Sequence, residues 1–271
     1  MNFGLIIIGD EILSGKREDK HLPKVIELLA ARGLALGWAR YVGDDPARIT
    51  ADLKDAFASG DAVFSCGGIG ATPDDHTRQG AAAALGVPLV LHPQARDLIL
   101  ERMRDLARER GIPYEPERDE NRHRLNMGVF PQGAEIIPNP YNKIAGFAIR
   151  GGAAAGAGVY FVPGFPVMAW PMIEWVLDTH YATLHRSAGP TEKSVIVFGA
   201  MEATLTPLME AIETRFAGIK VFSLPSVDHP QWDRHIELGV KGRADLLDAA
   251  YAELRKGLAA HDAKLGPELV R

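Results

Sequence analysis

Short apolar runs alternate with longer segments whose apolar positions recur every three or four residues, and this alternation organises the first half of the chain. Residues 3–8, Phe-Gly-Leu-Ile-Ile-Ile, hold no polar side chain, as expected of a strand covered on both faces. Residues 20–32 carry Leu22, Val25, Ile26, Leu28 and Leu29 at helical spacing, and Gly33 follows where a helix stop is expected. A strand-like 39–42 leads into Gly43-Asp44-Asp45-Pro46, a turn and helix start, and 46–59 places Ile49, Leu53, Ala56 and Phe57 on one face. The run 62–66 is again a strand, a glycine cluster follows, and 76–85 reads as a helix. Strand and helix in regular alternation predict an α/β domain with a three-layer, mostly parallel sheet and right-handed crossovers.

Beyond Leu85 the periodicity loosens. Residues 93–110 form a charged helix with Leu98, Ile99, Met103 and Leu106 as its buried stripe. A short helix is expected at 119–126 and strands at 135–138, 145–149 and 159–162, the last ending in Pro163-Gly164-Phe165-Pro166 before a helix to 179. The small-residue stretch 151–158 reads as a flexible surface turn, and 184–191 as a linker. After it, strands at 194–198, 220–224 and 235–240 and helices at 205–216 and 244–260 give a βαββα order. That order predicts a small α/β domain of ferredoxin-like or KH-like type. Domains of 1–183 and 192–262 follow. The alternating strand 235–240 implies a half-exposed sheet face.

Composition narrows the function classes. With 46% hydrophobic and 24% charged residues the chain is an ordinary globular protein, and a net charge of −5 offers no footprint for nucleic acid or an anionic membrane. A single cysteine, Cys66, excludes an internal disulfide framework and fits a reducing compartment. The first apolar run is too short for a bilayer span or a signal peptide, so a cytoplasmic protein is expected.

The chemistry concentrates at the ends of the predicted parallel strands. Gly67, Gly68 and Gly70 let the backbone approach a ligand, and the helix that follows turns its positive end to the same spot. Thr72, Asp74, Asp75 and Thr77 share that turn. Two carboxylates there would repel a bare phosphate, so a divalent cation between them and the phosphate is expected. Gly9, Asp10 and Glu11 follow the first strand and Asp44 the second, both on the same edge. Each has a plainer reading as a helix cap or turn residue, as do Thr72, Thr77 and Asp74. Lys143 sits in a loop from which it could meet a phosphate oxygen, and Gly164 repeats the strand–turn–helix pattern. Asn121-Arg122-His123-Arg124 reads as a helix face. No histidine or cysteine spacing suggests zinc, and neither a Gly-x-Ser-x-Gly elbow nor a Walker A lysine is present.

Four segments together resemble the molybdopterin-binding fold family: Gly9-Asp10-Glu11-Ile12-Leu13-Ser14-Gly15, Val42-Gly43-Asp44, Gly67 through Thr72 with Asp74 through Thr77, and Val162-Pro163-Gly164-Phe165-Pro166. The family includes MoaB/Mog molybdenum-cofactor proteins and the N-terminal domains of CinA-type competence-damage proteins and of eukaryotic FAD synthases. Residues 202–207 and 223–225 look like the region that follows this fold in the latter two groups. The resemblance implies molybdopterin binding, with Asp44 and Asp75 at a catalytic centre, or metal-dependent cleavage of the pyrophosphate in ADP-ribose or FAD. In the second case Asp75 and Asp10 would hold Mg²⁺ or another divalent cation, and Asp44 would orient or deprotonate water. The amides of Gly68 and Gly70, with Thr72, would neutralise the phosphate. The second domain favours this branch. Glu18-Asp19-Lys20-His21 replaces the usual Thr-Asn-Ser stretch and Ala71 the usual proline, and these 271 residues contain no amidase domain. A homo-oligomer is implied by the family. The alternatives are a non-catalytic molybdopterin-binding protein and an oligomeric scaffold whose loop 225–232 meets a partner.

Overall fold

In a computed structural model of the chain, which describes residues 1–151, 156–185, 192–230, 232, 234–261 and 263–270, the first apolar run is β1 (Phe3–Ile8), buried at every position. β1 is enclosed by two parallel neighbours, β2 (Leu36–Val42) and β3 (Ala62–Cys66). A short helix the pattern did not announce, α1 (Asp10–Leu13), follows β1, and α2 (His21–Ala30) leads to β2. Next come α3 (Pro46–Ala58) and α4 (Thr77–Leu85) on either side of β3. β2 alternates half-buried and exposed residues, as an edge strand should.

β4 (Leu89–Leu91) precedes α5 (Pro93–Arg110), whose two ends fall where the prolyl start and the Gly111 stop put them. α6 (Asp119–Arg124) and a 3₁₀ turn occupy the predicted short helix, and β5 (Val129–Pro131) pairs antiparallel with β4. Each strand of that pair is three residues long, too few for periodicity to register. β6 (Glu135–Ile137), β7 (Gly146–Arg150) and β8 (Gly158–Val162) complete the main sheet, and α7 (Pro166–His180) follows. The sheet order is β2-β1-β3-β8-β7-β6, parallel from β2 through β8 and antiparallel beyond. Helices cover both faces. Val25 and Leu29 of α2 with Met172 and Val176 of α7 pack on Leu5, Phe64 and Tyr160. On the other face, Ile49 and Leu53 of α3 and Ala81 of α4 join the core of Ile6, Val63 and Phe161.

The chain divides into two compact units, Met1–Arg186 and Ser187–Arg271. The second contains β9 (Glu192–Phe198), α8 (Glu202–Arg215), β10 (Ile219–Ser226), β11 (His235–Gly242), α9 (Ala244–Ala260) and β12 (Lys264–Val270), with the antiparallel order β10-β11-β9-β12. This is βαββαβ, of the ferredoxin-like type, one strand more than the sequence predicts. Gly266 and Pro267 interrupt the pattern of β12, and a register shift between Leu265 and Glu268 absorbs them on this edge strand. The half-exposed face expected at 235–240 is also corrected, since only Glu237 there escapes burial. β11 is a central strand, and the Phe222 ring lies over Gly239. Residues 152–155 of the predicted turn and 186–191 of the predicted linker lie outside the described residues, as does Gln231 of the 225–232 loop. No helix among the described residues is long and apolar enough to cross a membrane.

Asp61 ties the start of the chain to the sheet. Its carboxylate accepts the Asn2 N–H at 2.7 Å and the Trp38 indole N–H at 3.0 Å. Burial pushes this carboxyl up, but hydrogen bonds from Trp38 and Asn2 and the N-terminal ammonium outweigh it, leaving the pKa below the ordinary value. A depressed carboxyl contributes stability above its unfolded pKa of about 4, and that contribution disappears as pH falls through the lower native value. Denaturant titrations should show Asp61→Ala less stable by about 2–3 kcal/mol at pH 7, the gap from wild type closing below about pH 4.

Candidate functional site

Because β2, β1, β3 and β8 run parallel, the loops leaving their carboxyl ends meet on one edge. Main-chain bonds lock them together there: Gly9 N–H donates to Val42 O and Gly67 N–H to Val162 O, each at 3.0 Å. Gly67 (φ 106°) has no room for a side chain, since a β-carbon would lie 2.3 Å from the Ile8 carbonyl oxygen. A β-carbon at Gly70 would fall 2.5 Å from Asp75 Oδ2. Between these loops lies a cavity of about 410 Å³, within the range small-molecule sites occupy. Gly9, Asp44, Gly67, Gly68, Gly70, Thr72, Asp75 and Gly164, all predicted, line it, together with Glu11 and Asp74.

The turn is organised from within. Asp75 Oδ2 accepts the Thr72 N–H at 2.8 Å and the Thr72 hydroxyl at 2.5 Å. Among the described residues, the main-chain N–H groups of Gly68, Ile69, Gly70 and Ala71 have no protein acceptor. All four residues line the cavity, so donors without protein partners are available there to an anion. Thr77 is buried and faces away from any ligand: its hydroxyl donates to Gly67 O at 3.0 Å and its N–H to Gly68 O at 3.0 Å. It bolts the turn to α4.

Asp10 and Asp44 hold each other's backbones. Asp10 N–H donates to Asp44 Oδ2 at 2.9 Å and Asp44 N–H to Asp10 Oδ1 at 3.1 Å. Asp10 itself is exposed and absent from the cavity wall, where Glu11 stands instead. Burial, then the negative charges of Asp10, Glu11 and Asp74, push the Asp44 carboxyl above its ordinary value against the opposing Asp10 N–H bond. Lys143 departs from expectation more sharply. Its ammonium lies 2.6 Å from both Glu101 and Asp105 on α5, and it does not line the cavity.

Other residues at the site gave little or no sequence signal. Arg78 is buried, and its guanidinium donates to the carbonyls of Gly70 (2.5 Å), Asn126 and Val129 (3.4 Å), joining the glycine turn to the segment that carries Met127 into the cavity wall. A lone arginine in a helical pattern reads as solvated, so only its position one residue after Thr77 pointed inward. His21, in the segment that departs from the family pattern, donates from Nε2 to Gly164 O at 3.0 Å, as a carbonyl can only accept. Arg17 and Phe165 also reach the wall. Cys66 is buried, and burial holds its thiol protonated. Among the described residues, no group of three or more His, Cys, Asp or Glu side chains is placed to hold a metal ion.

Known proteins share this architecture. The family described as a probable molybdopterin binding domain matches residues 4–183. A CinA-like protein of Anaeromyxobacter sp. (strain Fw109-5) is 35% identical over 181 residues, which cover 66% of this chain and 41% of that protein. A CinA-like protein of Citrifermentans bemidjiense is 31% identical over 262 residues, covering 96% of this chain and 59% of the relative. The chain spans about half the length of the curated relatives it matches. The crystal structure of the protein CinA, of unknown function, from Thermoplasma acidophilum is similar with a TM-score of 0.53 at 26% identity, over 65% of this chain and 96% of that one.

A carboxyl raised by burial and like charge favours the folded state only while protonated, so its ionisation costs stability as pH rises from the ordinary value through the raised one. Asp44→Asn, which keeps an acceptor for Asp10 N–H, should therefore melt above wild type at pH 7 in metal-free, low-salt buffer. The difference should shrink below about pH 4 in a thermal-shift series.

Proposed function

The chain belongs to the molybdopterin-binding domain family, on its CinA-like side, and we propose that its cavity binds a phosphorylated pterin or dinucleotide with a divalent cation and hydrolyses the ligand's diphosphate. One observation carries the reading. Four successive amides without protein acceptors, Gly68 through Ala71, share a cavity with the carboxylates of Asp44 and Asp75. The amides suit phosphate oxygens, and the carboxylates would repel them without an intervening cation.

The donor set fits such a cation. Glu11, Asp44, Asp74 and Asp75 are hard oxygen donors, the class that Mg²⁺ and its relatives prefer. Magnesium sites commonly use one or two protein carboxylates and complete themselves with substrate phosphates. Asp75, anchored through Oδ2 by Thr72, is the carboxylate best fixed for this role. A cation held there supplies Lewis-acid polarisation of the phosphoryl group.

The chain's own groups do the remaining work. The amides of Gly68 and Gly70 neutralise charge that grows on the phosphoryl oxygens. Thr72, whose N–H and hydroxyl both bond Asp75 Oδ2, holds that carboxylate in place and, contrary to expectation, does not bond phosphate. Asp44, fixed through its bond with the Asp10 N–H, accepts a proton from the attacking water. The water oxygen bonds to phosphorus, the bridging P–O bond breaks, and the proton passes to solvent or to the departing phosphate.

The test is a screen of ADP-ribose, FAD and NAD with Mg²⁺, Mn²⁺, Co²⁺ and K⁺ varied. Divalent-dependent release of monophosphate products is expected. Asp75→Asn, which keeps an acceptor for Thr72, should abolish turnover while the melting temperature stays nearly that of wild type. Equal loss of both would assign Asp75 a structural role. Wild-type protein that carries a bound pterin and turns over none of these compounds would mark a binding protein.

A further inference from the structure

A second cavity, of about 310 Å³, adjoins the first. The two share Ile8, Glu11, Arg17, Gly164 and Phe165, so they form one trough divided where Arg17 lies over Phe165. The compartments differ in chemistry. The first has an excess of carboxylates, and its unpaired amides sit beside an apolar wall of Ile69, Met127, Ile144 and Met168. The second has an apolar lining of Ile7, Ile8, Ile12, Cys66 and Pro166, and its charged residues balance, Arg17 and Lys20 against Glu11 and Glu18.

That balance selects the occupant. A second phosphate would call for an excess of cations, and an alkyl chain would leave the polar rim unused. A flat, neutral ring with hydrogen-bonding edges uses both. Phe165 offers it a face. The side chain is 55% exposed at the cavity divide, so its ring face is open to a ligand once Arg17 moves aside. Its backbone, by contrast, is held: the preceding Gly164 carbonyl accepts from His21, and Gly164 sits against the Gly67 α-carbon. Arg17, now 5.9 Å from the ring centroid, is kept there by a solvated ion pair with Glu11 at 3.3 Å, a weak restraint that a ligand can displace.

We infer that the second cavity is the subsite for the fused heteroaromatic ring of the ligand, purine or pterin, which stacks on Phe165 while its phosphates occupy the glycine turn. This rests on the reading of the first cavity as a phosphate site and adds where the rest of the ligand lies and which side chain recognises it. Arg17 moves from the Phe165 face to the outer side of the ring or to the phosphate bridge.

Calorimetric titrations with Mg²⁺ separate the two claims, using inorganic pyrophosphate, ADP and 6-hydroxymethylpterin diphosphate as probes. Phe165→Ala should weaken the favoured ring-bearing probe by about tenfold or more, as loss of a stacking face does, and change pyrophosphate by less than about twofold. Phe165→Trp should restore that affinity and show fluorescence quenching on binding. Whichever of ADP and the pterin is the more sensitive to Phe165 identifies the ring. Ring-bearing probes that bind wild type no tighter than pyrophosphate, or that ignore Phe165→Ala, overturn the subsite and leave the phosphate reading standing. Failure of all three probes to bind wild type overturns both.

Discussion

At the carboxyl ends of β1 and β3 the two backbones come closer than any side chain at position 67 permits, and the cavity is the consequence. With Gly67 against the Ile8 carbonyl, the chain must turn away from the sheet before it can enter α4. That detour carries four amides past the reach of carbonyl partners. Thr77 closes it by bonding both Gly67 and Gly68. The exposed donors are therefore built in by strand packing, and the energy that keeps them unpaired comes from the buried core of β1, β3 and β8.

Arg78 extends that support across the cavity. Taking a guanidinium out of water is costly, and here carbonyl oxygens, not a bonded carboxylate, receive it. Burial lowers its pKa, with the charge of Asp75 working in the opposite direction. Asp75 is also the carboxylate that Thr72 anchors within the turn, so the charge of Arg78 acts on the same group that shapes the loop. Support of the turn and local charge balance are thus one arrangement.

How much of this was legible depended on range. α5 and α9 have the bounds their caps and stripes predict, and β1 is legible because nothing polar interrupts it. The glycine turn and the acids around it announced themselves by residue type, since few other roles need Gly-Gly-x-Gly beside Asp-Asp. Partnership across the fold was not legible. Lys143 looked available in its loop, but Glu101 and Asp105 are about forty residues away in sequence and one helix turn apart, ready to take it. Asp10 and Asp44 were both placed on the right edge, yet only the fold shows that each serves the other's backbone. β12 stayed hidden because Gly266 and Pro267 disguise it and its partner lies far upstream.

That distant partner bears on how the second unit is made. β9 is an inner strand of its sheet, and one of its two ladders is supplied by residues 264–270. While a ribosome is still adding those residues, Val195 and Val197 belong to an edge strand with a row of open N–H and C=O groups. Closure of the sheet waits on a contact of long sequence separation, which slows folding and lengthens the interval in which a neighbouring nascent chain could pair there instead. The proline-bearing, bulged β12 then becomes the edge, a poorer template for such pairing than the strand it covers.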